Sequence, residues 1–290
     1  MGALRATAIL TGFFALTVPL MPVQAVLVRI APKSARRFPH WYHRQVCRLL
    51  GITLTVEGAV EQHRSVLLVA NHTSWLDIPV LSAVAPLSFV AKKEVGGWPF
   101  VSSLARLQRT VFVDRNRRQS AGDAADEIST RLASGDTIVL FAEGTSSDGN
   151  RVLPFKSSLF GAVKAGGSGQ DGTVVQTAAV VYTHLHGVPI ARADRPRVGW
   201  YGDMEMQSHA WGVLSSGPLT VTIRIGPPVP LESFTGRKDL ALSSEREVRR
   251  AVLGILRGRT GDDTLHPVEP DDNRRKQKLP TATQSNEKWT

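Results

Sequence analysis

"SVLLVANHTSWLDIPVL", residues 65–81, decides how this chain is read. Val66 to Ala70 form an unbroken apolar run. A run of five bounded by polar residues fits a strand covered on both faces. It stops at Asn71-His72-Thr73-Ser74, an acid follows at Asp77, and apolar residues resume at Ile78. Five residues of continuous helix turn through about 500°, which leaves two side chains about 140° apart. His72 and Asp77 therefore meet only if His72 lies in a turn and Asp77 in the first turn of the next helix. Two readings fit the spacing. In one, Ser74 and Asp77 form a capping box and His72 sits in a loop. In the other, His72 is a general base whose tautomer and charge a carboxylate controls.

Similar runs recur on either side. They are "ITLTVEG" (52–58), "LSFVAK" (87–92), "RTVFVD" (109–114), "DTIVLFA" (136–142), "VVQTAAVVY" (174–182) and "LTVTIRIG" (219–226). Their Val, Ile, Thr and Phe content and their length predict strands. "SAGDAADEISTRLASG" (120–135) is acidic early and ends near Gly135, which predicts a helix with a glycine C-cap. Alternating strands and helices predict an α/β sandwich around a central sheet. No repeat is present.

The chain has 290 residues, 42% of them hydrophobic, enough for one large domain or two small ones. Cys47 is the single cysteine, so no intrachain disulfide forms. The net charge is +10, and its distribution carries more information than its size. Arg5, Arg29, Lys33, Arg36, Arg37, Arg44 and Arg48 all precede the first acid, Glu57. Such a segment needs an anionic partner, nucleic acid or a membrane surface. Residues 6–28 are uncharged, and as a helix they span about 34 Å against a hydrocarbon core of roughly 30 Å. Pro19 and Pro22 leave a re-entrant or interfacial segment open. "VQA" (23–25) leaves a cleaved leader open. One basic residue precedes the run and four follow closely, which favours a retained membrane segment with the rest of the chain on the cytoplasmic side of an inner membrane. No zinc-finger spacing or aromatic-basic RNA signature supports nucleic acid. The expected organisation is a membrane-associated N-terminal helical segment (1–37), a catalytic domain (38–257) and a polar, disordered tail (258–290).

Two further stretches carry polar residues at strand ends. "VLFAEGTSSDG" (139–149) sets Glu143, Gly144, Thr145 and Ser146 after a buried run. Gly144 permits positive φ or close backbone approach, and a solvated turn is the plain alternative. "RLQRTVFVDRNRR" (106–118) brackets a strand with arginines. Arg115, directly after the strand, is the best candidate for a planar anion, and Arg117 and Arg118 read as a solvated face. "GSGQDG" (167–172) matches a dinucleotide fingerprint in letters only, because no strand precedes it and no helix follows. No serine lies in a G-x-S-x-G context. His184 and His186 have no clustered acids or cysteines and read as structural.

Together these stretches resemble the glycerolipid, lysophosphatidate-type acyltransferases. "NHTSWLD" matches their N-H-x-x-x-x-D block, "VFVDR" their second and "FAEGT" their third. "YTHLHGVPI" lies where the fourth is expected. The likeness spans roughly residues 40–230. It implies an α/β fold with a mixed central sheet flanked by helices, following an N-terminal membrane-associated helical segment. It also implies that His72 and Asp77 form the catalytic pair and that Arg115, Glu143, Gly144 and Thr145 shape the acceptor site. Lys92 would lie near the acyl carbonyl. Ala142 replaces the usual proline of the third block, and Ser146 stands where an arginine often follows. In this the chain looks like the bacterial branch that acylates lyso-ornithine lipid.

The resemblance implies a membrane-bound lysolipid O-acyltransferase with acyl-carrier protein or acyl-CoA as the acyl donor and no cofactor or metal. Lyso-ornithine lipid is the first-choice acceptor and lysophosphatidate the second. A membrane-tethered lipid-binding protein with a degenerate site and a lipid hydrolase are the other classes. The first would consume no thioester, and the second would need none.

Overall fold

The computed structural model describes residues 1–114, 118–162 and 172–259. Arg115 and Arg117, most of the "GSGQDG" stretch and the tail from residue 260 lie outside them. The seven expected strands are all present: β1 (Ile52–Glu57), β2 (Val66–Ala70), β3 (Ser88–Lys92), β4 (Val111–Val113), β5 (Thr137–Phe141), β6 (Val174–Leu185) and β8 (Leu219–Ile225). Two short strands, β7 (Val188–Pro189) and β9 (Val229–Pro230), pair with β6. The order across the sheet is β1-β8-β6-β2-β5-β3-β4. β6 and β8 run antiparallel and the other neighbours on this path run parallel, so the sheet is mixed.

β2 is buried along its whole length, and its side chains alternate between two cores. Val66, Leu68 and Ala70 join Tyr42 and Val46 of α2 (Pro32–Leu50) and Val80 of α3 (Asp77–Ser82). Leu67 and Val69 join Leu240, Val248 and Val252 of α7 (Arg237–Leu256). This is the two-residue period of a strand covered on both faces. The predicted helix appears as α5 (Arg118–Ala133), and Gly135 after it has a φ of 79°.

β2 and β5 are parallel neighbours with Ala70 opposite Phe141. The chain therefore leaves both strands side by side at their carboxyl ends, where open α/β sheets hold their ligands. β3, two strands from β2, ends at Lys92 on the same edge.

α1 (Gly2–Ile30) continues through Pro19 and Pro22 without a break and packs on α2. Among the described residues it is the helix long and apolar enough to cross a bilayer. Its buried polar side chains bond within the protein. Thr17 and Gln24 face inward, where Thr17 Oγ1 bonds Tyr42 Oη at 2.7 Å and Gln24 Nε2 donates to the carbonyls of Ala35 and Leu107. Phe14, Val18, Val23 and Val26 face outward. The inward face is otherwise apolar, with Ile9, Leu10, Phe13, Leu16 and Leu20 on the core, so α1 is apolar on both faces, which suits lipid. The boundary expected at residue 37 falls within α2.

Candidate active site

The turn after β2 is folded around one carboxylate. Asp77 is fully buried at the start of α3. Its Oδ2 accepts N–H bonds from Thr73 at 2.7 Å and Ser74 at 3.0 Å, and lies 2.8 Å from Nδ1 of His72. Its Oδ1 accepts from the Tyr182 hydroxyl at 2.6 Å. Asp77 thus holds the turn and the imidazole with the same oxygen. The expected capping box forms only in part: the Ser74 N–H bonds Asp77, but the Ser74 hydroxyl caps nothing and Leu76 is the N-cap of α3. An ionised carboxylate only accepts, so Nδ1 carries the hydrogen and Nε2 keeps its lone pair. The Phe141 ring stacks on the imidazole with centroids 4.1 Å apart.

Neighbouring loops fix the turn from behind. Asn71 extends the β2 ladder with its side chain, which exchanges two hydrogen bonds with the backbone of Val180. The carbonyl of His72 accepts the Ser147 N–H at 2.9 Å, and that of Thr73 accepts the Trp200 N–H at 2.9 Å.

Glu143 stands apart from the expected acceptor-shaping role. It is buried and does not line the cavity beside His72. Its two oxygens accept the backbone N–H of His72 and of Leu153, each at 2.8 Å. It ties the turn after β5 to the turn after β2. Burial pushes its carboxyl up to about 7, against the pull of those two N–H groups.

A cavity of about 870 Å³ opens beside His72. One wall comes from α1 and α2, through residues such as Phe13, Leu20 and Tyr42, and the opposite wall from Phe89 and Phe141. Lys92, Gly144, Thr145 and Ser146 also line it. Gly144 has a φ of 70°, which explains why glycine follows the acid. The Ser146 hydroxyl is held by the Trp200 carbonyl. Ser147 bonds the His72 carbonyl and Asp148 bonds Asn150, and neither lines the cavity. The structure thus brings His72, Lys92, Gly144, Thr145 and Ser146 to one cavity, with Asp77 and Glu143 behind it. Arg115 lies outside the described residues.

Other polar residues singled out in the sequence go elsewhere. Arg109 pairs with Asp136 at 2.7 Å. His184 Nδ1 bonds the Thr183 hydroxyl at 3.0 Å, and His186 bonds the Ser216 carbonyl. Tyr182, which touches Asp77 directly, opens the stretch where the fourth block is expected, yet nothing in its neighbours marks it as a partner of Asp77. It ends an apolar run that reads as ordinary strand.

A family model described as Acyltransferase matches residues 52–192. The lyso-ornithine lipid O-acyltransferase of Brucella abortus is 44% identical over 260 residues, covering 89% of this chain and 97% of that one. This chain belongs to the acyltransferase family. The lyso-ornithine lipid O-acyltransferase of Rhizobium meliloti is 43% identical, with 83% of each chain covered. The crystal structure of the 1-acyl-sn-glycerophosphate acyltransferase PlsC from Thermotoga maritima superposes with a TM-score of 0.63. It is 25% identical and covers 88% of this chain and 94% of that one. The protein is an acyltransferase enzyme with the mixed-sheet fold of that structure.

Proposed function

We propose that this acyltransferase moves an acyl chain from a thioester to the free hydroxyl of lyso-ornithine lipid, at the surface of the inner membrane. The observation that carries the chemistry is the imidazole of His72, held by Asp77 and turned into the cavity. Nε2 takes the proton of the lipid hydroxyl as its oxygen attacks the thioester carbonyl. The tetrahedral intermediate collapses, the C–S bond breaks, and the imidazolium returns the proton to the departing sulfur. The thioester is already activated, so no acyl-enzyme is required. Buried Asp77 stabilises the imidazolium while it lasts. Acyl-carrier protein or acyl-CoA supplies the thioester, from the cytoplasmic side on which the basic residues after α1 hold the domain.

The choice of acceptor rests on relatives and on charge. Two relatives above 40% identity that cover most of the chain are lyso-ornithine lipid O-acyltransferases. Lys92 is the one lysine or arginine among the described residues lining the cavity, and Glu94 lines it too. A phosphate monoester carries up to two negative charges and favours more than one cation, bidentate arginine above all. Lyso-ornithine lipid carries one carboxylate and one ammonium.

The test compares kcat/KM for lyso-ornithine lipid and lysophosphatidate with one donor, in wild type and in Ser146→Arg. Wild type is expected to favour lyso-ornithine lipid, and the variant to move towards lysophosphatidate. A tenfold wild-type preference for lysophosphatidate, about 1.4 kcal/mol, would overturn the acceptor assignment and leave the phosphatidate-forming activity in its place.

A further inference from the structure

We infer that Tyr182 is the third member of the base assembly, a positioning residue that acts on His72 through Asp77. The inference rests on the reading of His72 as general base and holds for either acceptor.

The geometry comes from β6. β2 pairs with β6 only as far as Ala70 opposite Ala178. β6 continues to Leu185 and so passes beneath the turn that carries His72 and Asp77. Its register against β8 slips between Tyr182 and His184, leaving Thr183 as an extra residue. Bulges of this kind re-aim side chains next to active sites. Here Tyr182 points to Asp77, 105 residues away in sequence, at 2.6 Å.

The division of donors on Asp77 shows what the hydroxyl does. Oδ2 has two backbone N–H groups and the His72 ring. Oδ1 has the Tyr182 hydroxyl as its recorded partner. His72 is the one basic side chain ion-paired with Asp77 among the described residues. The buried charge is therefore held by hydrogen bonds, and one oxygen depends on tyrosine. Tyr182 is itself buried and does not line the large cavity, so it meets no substrate there.

Burial first, and then the Asp77 charge, push the Tyr182 phenol well above its ordinary range, so it remains a donor. The ionisable groups around the pair are His72, Glu143 beyond the β5 turn, and Cys47 of α2. Burial pushes the Cys47 thiol up to about 12, so it stays neutral. Arg195 is engaged with Asn150. Glu143 is common to all the variants below, so a difference between them does not come from its titration.

Without the hydroxyl, Oδ1 is buried with no donor. The carboxylate then attracts a proton more strongly, whether on itself or on the imidazole. Either way the reactive neutral imidazole beside an ionised Asp77 is lost at a higher pH. The carboxylate also loses a contact that fixes its rotation.

The experiment uses the full chain in vesicles and measures kcat and KM against pH for wild type, Tyr182→Phe, Asp77→Asn and the double variant. Tyr182→Phe is expected to lower kcat about 10- to 100-fold, as for loss of a hydrogen bond to a charged group. KM should stay within about twofold, and the acid limb of the kcat profile should move to higher pH. Tyr182→Phe should slow the Asp77→Asn variant far less than it slows wild type, because the charge that the tyrosine supports is already gone. An unchanged kcat, a fall with the acid limb in place, or losses that multiply in the double variant would each overturn the role of Tyr182. Full activity in Asp77→Asn would instead remove the base assembly itself.

Discussion

Replacing Asp77 by Asn removes a charge and preserves the contacts around it. The amide oxygen can take the place of Oδ2, accepting from Thr73, Ser74 and Nδ1 of His72. The amide NH2 then faces Tyr182, whose hydroxyl accepts as well as donates. The turn survives, and the neutral imidazole stays in place. What is lost is the attraction between carboxylate and imidazolium. Nδ1 and Oδ2 are 2.8 Å apart, which puts the charge centres about 4 Å apart. At an effective dielectric of about 20 the interaction is roughly 4 kcal/mol, or about 10³ in rate. Steady-state acyl transfer, read by mass of the lipid product, should fall by that order with KM little changed. The melting temperature should stay near that of wild type, because the amide oxygen accepts the same N–H groups of Thr73 and Ser74. Activity within threefold of wild type would show that Asp77 only holds the turn, and would refute the reasoning.

Three further outcomes follow from other parts of the molecule. The folded state holds the Glu143 proton more tightly than the unfolded chain does. Stability should therefore fall as pH rises from about 4.5 to about 7, by up to roughly 3 kcal/mol. Denaturant titrations at pH 5 and pH 8 should show this loss in wild type and less of it in Glu143→Gln; an equal loss in both would refute it. Replacing Val18, Val23 and Val26 by Ser should release protein from vesicles at any salt, at roughly 1 kcal/mol per half-exposed side chain. Replacing Arg29, Lys33 and Arg37 by Gln should weaken binding to anionic vesicles alone, at about 1 kcal/mol per charge. Flotation assays read both. Arg36 is left out because it pairs with Asp136.

What was legible in the sequence was local. β2, β5 and their neighbours show as short apolar runs because both faces of each strand are covered. The meeting of His72 with Asp77 follows from a strand–turn–helix layout that five residues of spacing require. What was not legible depends on distant partners. Glu143 looks like a ligand at a strand end, yet it accepts the backbone N–H of a residue 71 positions earlier. Tyr182 looks like the end of a strand until β6 is seen to outrun β2. The charge-free run of residues 6–28 shows a helix long and apolar enough to cross a bilayer but conceals its inward face, where Thr17 and Gln24 anchor α1 to α2 and to the last residue of α4 (Val101–Leu107). Ser147 and Asp148 follow directly after Gly144, Thr145 and Ser146, and the fold turns them onto its own backbone and side chains.

The central claim is that Nε2 of His72 removes the proton from the lipid hydroxyl. The most direct measurement is a single-turnover reaction of full-length His72→Ala in vesicles, with a labelled acyl-carrier thioester and saturating lyso-ornithine lipid. A positioned general base contributes about 10²–10⁴ in rate. The variant should bind both substrates as wild type does and transfer the acyl chain slower by that factor. Transfer at the wild-type rate in a correctly folded variant would contradict the account.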